Sequence, residues 1–433
     1  MSAESIHSTL TRLPWLDELV DYLKTHEDDL WSWFSTETDR EKQAEAVRLD
    51  LLRTTYRIDR ESQTQLYETA DAVAATLGVD APLTIYQAQQ SPDLNATLKF
   101  VPGEIHVVLH GPLLETLDNG ELKALLGHEL SHYLLWTEWD SEILIAHEII
   151  LGMLNDPRGD EVHLETYRRL QLFTEVFCDR GGLLACGDLA TAVRVEVKMQ
   201  TGLKEVDAAS YLQQAEEAAS KNGDGTPGTF VTEGFSHPEA FLRVRAIQLW
   251  NSTASTENSD SVENSKNASI VEQTIRRMIE GPLSLEQIDL PGQRHLTAVT
   301  REVISEILEP AWMKSELAMS HARLFFPDIE RARATPPADD AEPPFNIRTI
   351  IADSEKTLAR YFSSILLDFV TADRDIQEAA LAWATQKADA WGIAECFAEF
   401  ATKELKLRKK QFQQIRTDAE SLIKQAEASH TTT

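Results

Sequence analysis

An α+β fold, mostly helical with one small sheet, is predicted by three features of this sequence. Apolar residues recur at three- and four-residue spacing through most of the chain, as in helices with one buried face. Strand-like runs are confined to Thr84–Ala88 and Asn95–His110. Hydrophobic residues fill 42% of 433 positions, enough for real cores, so wholesale disorder is excluded and two or three units are expected.

The elements follow in order. The first 80 residues read as helical. Asp59–Leu77 carries small and apolar residues on one face, with Gly78 as its stop. The short Thr84–Ala88 strand comes next, and Asn95–His110 reads as two strands joined at Pro102-Gly103. Glu121–Trp136 has the pattern of a buried helix, with Asp118 and Asn119 as candidate caps. Tyr167–Ala185 and Ala190–Thr201 continue the helical pattern. Asn222–Gly228 reads as a loop. Two stretches with little to bury read as linkers: 251–269, rich in Ser, Asn and Thr, and the Pro-rich 331–346. The expected organisation is therefore a unit over 1–250, a helical segment over 270–330, and a helical C-terminal region over 347–433. Asp373 and Asp375, between two helices of that last region, suit a helix cap or a cation.

Charge narrows the partners. Lys and Arg number 41 against 71 Asp and Glu, a formal −30. Such a surface repels phosphate backbones and anionic lipid, so neither nucleic acid nor membrane is expected as a partner. Three cysteines, Cys178, Cys186 and Cys396, are too few for a disulfide framework and indicate a reducing compartment. The N-terminus has no basic start leading into an apolar run, and no stretch of about 18 apolar residues occurs. A cytoplasmic protein is expected.

The chemistry concentrates in Gly127-His128-Glu129-Leu130-Ser131-His132. Residues four apart on a helix share a face, so both imidazoles can reach one cation. Glu129, beside the first ligand, can take a proton from a water that zinc has acidified, which is the arrangement of zinc hydrolases. A continuation with Gly at 135 and His at 138 would complete one known ligand set, but Leu135 and Glu138 stand there. The third ligand must come from elsewhere. Glu175 fits, with Asp179 four residues on along the same helical face, where it could orient a ligand histidine. Spacing leaves Glu138, Asp140, Glu142, Glu161, His163 and Glu165 as rivals. Residues 101–150 hold 1 basic and 9 acidic residues, a net of −8 that a divalent cation would offset in part.

Several ordered segments resemble the zinc metallopeptidases of the HtpX and CAAX-prenyl-protease type over roughly Tyr56–Trp250. They are Asn95-Ala96, Gly111-Pro112-Leu113-Leu114, Glu121-Leu122, the His128–His132 motif, Glu175-Val-Phe-Cys-Asp179, and His237-Pro238 followed by Arg243. The resemblance implies a zincin-like core in which His128, His132 and Glu175 hold one zinc ion. Glu129 would be the general base, Asp179 and Arg243 would support the ligands, and His237 would stand near the oxyanion. It further implies that an extended peptide or protein substrate pairs with Glu104, Ile105, His106, Val107, Val108 and Leu109. Cys178 stands where alanine is usual, and the hydrophobic helices of many relatives have no counterpart. The expected function is a zinc-dependent endopeptidase. The competing expectation is a zinc-bearing adaptor with latent or lost activity, recruiting partners through its C-terminal helices.

Overall fold

The computed structural model describes residues 10–36, 40–89, 91, 93–221, 239–254, 261–281, 283–330, 347–352 and 356–431. The chain divides into two compact units, Met1–Gly281 and Pro282–Thr433.

The first unit is built on four strands, β1 (Thr55–Arg57), β2 (Leu83–Ala88), β3 (Asn95–Val101) and β4 (Glu104–His110), in the spatial order β1-β2-β4-β3. β3 and β4 form the expected hairpin, whose turn needs Gly103 at φ +76. β2 runs parallel to β4, and β1 closes the far side antiparallel to β2. β1 lies in a stretch expected to be helical. Three residues are too short to show a strand period, so only their partner strand identifies them.

Helices cover both faces. In chain order they are α1 (Pro14–His26), α2 (Asp28–Phe34), α3 (Arg40–Thr54), α4 (Thr64–Leu77), α5 (Leu113–Thr116) and α6 (Asn119–Thr137). Then come α7 (Glu142–Asn155), α8 (Glu161–Cys186), α9 (Leu189–Thr201), α10 (Ala208–Lys221), α11 (Ala240–Ala254) and α12 (Ser261–Glu280). Alternation along β4 decides what each face buries. Ile105, Val107 and Leu109 meet Ala70, Val73 and Leu77 of α4 and Leu125, Leu126 and Leu130 of α6. Each such side chain contributes on the order of 1.5–3 kcal/mol by leaving water. On the opposite face Val108 packs with Tyr86 and with Leu51 of α3.

Caps fix the helix ends. Asp118 starts α6 with a capping box shared with Glu121, and Asp160 does the same for α8 with His163. Gly78 ends α4 in the left-handed conformation. The expected linker over 251–269 is corrected in part. α12 begins at Ser261 and belongs to the first unit, held by Arg180–Glu272 and Arg276–Glu18 ion pairs. Its first half is mostly polar, and its fully buried apolar residues, Ile275 and Ile279, come only beyond residue 269, which leaves little apolar periodicity to read in the linker stretch. The unit boundary accordingly falls at Gly281–Pro282 rather than near residue 250. Asn222–Gly228 and 331–346 lie outside the described residues.

The second unit is a helical bundle of α13 (Leu290–Ile307), α14 (Glu316–Phe325), α15 (Ile347–Ala352), α16 (Lys356–Ala372), α17 (Gln377–Trp391), α18 (Ala394–Glu404), α19 (Lys409–Thr417) and α20 (Ala419–Thr431). Its core gathers Val303, Ile307, Trp312, Phe362, Leu366, Phe369, Leu381 and Phe397. Asp373 accepts from the Asp375 amide between α16 and α17, so a turn accounts for this acidic pair. Among the described residues, no helix is long and apolar enough to cross a membrane.

Candidate metal centre

α6 and α8 pack closely because small residues meet at their crossing. A methyl group added at Gly127 would lie 2.5 Å from the Ala185 Cβ and 2.8 Å from the Gly181 carbonyl oxygen. One added at Gly181 would fall 1.7 Å from the Ser131 hydroxyl oxygen, and one at Gly182 would fall 2.8 Å from the Ala124 carbonyl oxygen. Such contacts are shorter than atoms allow, so glycine is required at the crossing. The sequence reading did not use Gly181-Gly182. The signal was present, since two adjacent glycines inside a helix each cost about 1 kcal/mol relative to alanine and need a packing reason.

This closeness brings Glu175 of α8 against the two histidines of α6. The His128 and His132 Nε2 atoms are 3.2 Å apart, and each is 3.5 Å from an oxygen of the Glu175 carboxylate. Zinc bonds of about 2.0–2.2 Å in a tetrahedron separate neighbouring N and O ligands by about 3.3–3.5 Å. The three donors thus already stand at the mutual spacing such an ion imposes. His128 turns its Nδ1 to Asp179 Oδ1 at 2.9 Å. A proton on Nδ1 there leaves the Nε2 lone pair facing the shared point. None of the rivals from the sequence is needed: Glu142 pairs with Arg12 and Lys24, and Glu165 with Arg168 and Arg169.

Charge makes the same demand. Arg243 of α11 is 1% exposed and lies 3.2 Å from Glu175, donates to Asp179 through Nε at 2.8 Å, and reaches Glu196 of α9 at 3.1 Å. With Glu129, also 1% exposed, that makes four carboxylates against one guanidinium, a formal −3 before any cation. Burial works to lower the His128 pKa, but Asp179 and Glu175 outweigh it and leave it raised. Surroundings that favour a proton on His128 equally favour a cation. The Asp179 carboxyl is held low by Arg243 and His128 against the opposing effect of burial.

Cys178 also lies at this centre. Its sulfur and the ring nitrogens of His128 and His132 all fall within 4.8 Å, so these three residues form a group that could hold a metal. Burial, together with Glu175, Asp179 and Glu129, pushes the thiol well up. The Glu175 carboxylate oxygens lie at 3.5 Å from the same two imidazoles, so Glu175 and Cys178 both stand beside the histidine pair.

The expected substrate strand is corrected. β4 is hydrogen-bonded on both sides, to β2 and to β3, so Glu104 through Leu109 offer no free edge. Ile105, Val107 and Leu109 face the core. His106 hydrogen-bonds Glu104 and Tyr86, and Glu104 pairs with Arg48 of α3, all on the sheet face away from α6. Among the described residues, the strand edge left unpaired beside α6 is that of β3, where Phe100 meets Tyr133 and Trp136. Trp136 in turn touches His132 and His147 of α7, and His147 touches Tyr167, a half-buried aromatic row that the sequence reading did not foresee. His237 lies outside the described residues.

The comparisons concern the stretch that carries the two histidines. Residues 60–141, which include His128, Glu129 and His132 but neither Glu175 nor Arg243, match the model of Peptidase family M48. Over 216 residues, 47% of this chain, the sequence is 28% identical to the plastoglobule-localized metallopeptidase 48, chloroplastic, of Arabidopsis thaliana. The matched part spans 61% of that relative's length. No solved structure matches the chain. This chain is therefore similar to the M48 metallopeptidases across β2, β3, β4 and the histidine helix, and the grouping of residues beyond 141 with the histidines rests on the geometry above.

Proposed function

We propose that the protein is a zinc-dependent endopeptidase. The observation that supports this most is the convergence of His128, His132 and Glu175 at 3.2–3.5 Å beside the buried Glu129. These three residues would hold the ion, which would supply a Lewis acid that polarises a peptide carbonyl and acidifies water. Glu129 would take the proton of the attacking water and pass it to the leaving amine. Asp179 would hold the His128 ring in its tautomer, and Arg243 holds the Asp179 carboxyl low while pairing with Glu175. An extended peptide would add to the free edge of β3 through backbone hydrogen bonds, its side chains lying along Phe100 and Trp136. His237, by its resemblance, would donate to the developing oxyanion.

The test is Glu129→Gln in the full chain. The general base contributes about 10²–10⁴-fold, so kcat/KM for peptide hydrolysis should fall by that much while zinc stoichiometry and fold are kept. Undiminished hydrolysis would refute the mechanism. Undiminished cleavage together with retained partner capture would favour the adaptor.

A further inference from the structure

Cys178 is a chemistry-bearing group at the centre that the mechanism above leaves unused. It is fully buried, and it sits three residues after Glu175, on the same face of α8. Its sulfur lies within 4.8 Å of the His128 and His132 ring nitrogens. Cys186, by contrast, donates to the Leu183 and Asp188 carbonyls. Among the described residues no hydrogen bond from the Cys178 thiol is found. Its side chain is thus buried and unpartnered, with its sulfur beside the two imidazoles.

Zinc sites with four protein ligands are structural, and those with three leave the fourth position to water. This centre has three donors at ligand spacing and a fourth nearby. In a tetrahedron, a sulfur at about 2.3 Å and a nitrogen at about 2.0–2.1 Å from zinc stand about 3.6 Å apart. A movement of roughly 1 Å, the scale of a side-chain adjustment, therefore brings the sulfur to that spacing.

We infer that Cys178 is a fourth protein ligand that closes the metal site in a resting form of the protein, excluding the water that hydrolysis requires. The inference rests on the metallopeptidase reading. On closing, a sulfur–metal bond forms, a water leaves the ion, and the thiol proton passes through Glu129 to solvent. Opening is the reverse, with a water entering and the sulfur regaining its proton. No oxidant or reductant takes part. Hydrolysis then scales with the open fraction, so removing the sulfur raises activity by the reciprocal of that fraction, about tenfold if one molecule in ten is open.

X-ray absorption at the zinc edge on the zinc-loaded full chain tests this without reference to activity. The expected result is one sulfur neighbour at about 2.3 Å. It should be lost in Cys178→Ala and Cys178→Ser, with zinc stoichiometry kept and peptide hydrolysis raised. Alanine leaves no steric demand and serine keeps the size, so at least one variant should fold. Only N and O neighbours in the wild type would overturn the inference and leave the metallopeptidase reading standing. A sulfur shell whose removal raised hydrolysis in neither variant would overturn the closing role. Absence of bound zinc in the wild type would overturn both.

Discussion

The two units bury polar groups for different reasons. In the second unit, several are satisfied by local backbone. Asp289 caps α13 through the Gly292 amide, Ser363 and Thr385 return bonds to the Ala359 and Leu381 carbonyls, and Asp373 accepts from the Asp375 amide. In the first unit, Glu175 and Asp179 of α8 answer Arg243 of α11, a helix far away in sequence, rather than their own backbone. Burying a charge costs several kcal/mol even after relaxation. Caps account for the first kind of burial. Nothing in folding accounts for a buried excess of carboxylates beside two imidazoles, so the chemistry belongs to the first unit.

Truncating the core of the second unit should give the largest effect on stability. Phe362 is fully buried among Leu366, Phe369 and Phe397. Phe362→Ala should lower that unit's stability by about 3–5 kcal/mol, seen as faster amide exchange in α16–α18, with zinc content unchanged. Loss of zinc in that variant would break the contrast between the units.

Removing metal is the mirror experiment. An ion held at a thousand times its Kd stabilises by about 4 kcal/mol. A chelator should therefore speed exchange in α6 and α8 and leave α13–α20 as they were. Exchange unchanged in α6 and α8 would mean that the buried carboxylates do not depend on a cation. A smaller effect is expected from Gly181→Ala. The added methyl would overlap the Ser131 hydroxyl, and overpacking of this kind costs about 1–3 kcal/mol. Because the crossing sets the distance from Glu175 to the histidines, zinc affinity should fall along with stability. A Gly181→Ala protein with unchanged zinc affinity would show that the close crossing does not position the ligand.

The same contrast explains what could be read in the sequence. Helix periods, the hairpin at Pro102-Gly103 and the Asp118 cap are local, and each was legible. The pair His128 and His132 was legible because a helix fixes what residues four apart share. The order of the strands was not. A hairpin shows that β3 and β4 are neighbours, but which of them pairs with β2 depends on a crossover, and the edge proposed for a substrate moved from β4 to β3 on that point alone. Glu175 was one acid among several until its distance to the imidazoles was known. Glu196 carried no local signal, because its role lies in an ion pair to Arg243 from another helix.

The smallest predicted effect belongs to His147, and it sharpens the contrast through pH. This imidazole lies in the aromatic row between Trp136 and Tyr167, with Gln171 as its polar neighbour. Burial lowers its pKa below the ordinary value of 6.5. Above about pH 6.5 both folded and unfolded chains carry it neutral, and it adds no pH dependence. As pH falls below 6.5 the unfolded chain takes up the proton first, so stability is lost through the window down to the folded value. His147→Leu removes that uptake, and the variant should therefore lose less stability than the wild type between pH 7 and pH 5. Amide exchange in α7 and α8 reads the difference where it arises, and α13–α20 serve as the internal control. Equal losses in the two proteins would mean that the ring titrates as freely folded as unfolded. The row beside β3 would then be open to water, a poor bed for a substrate's apolar side chains.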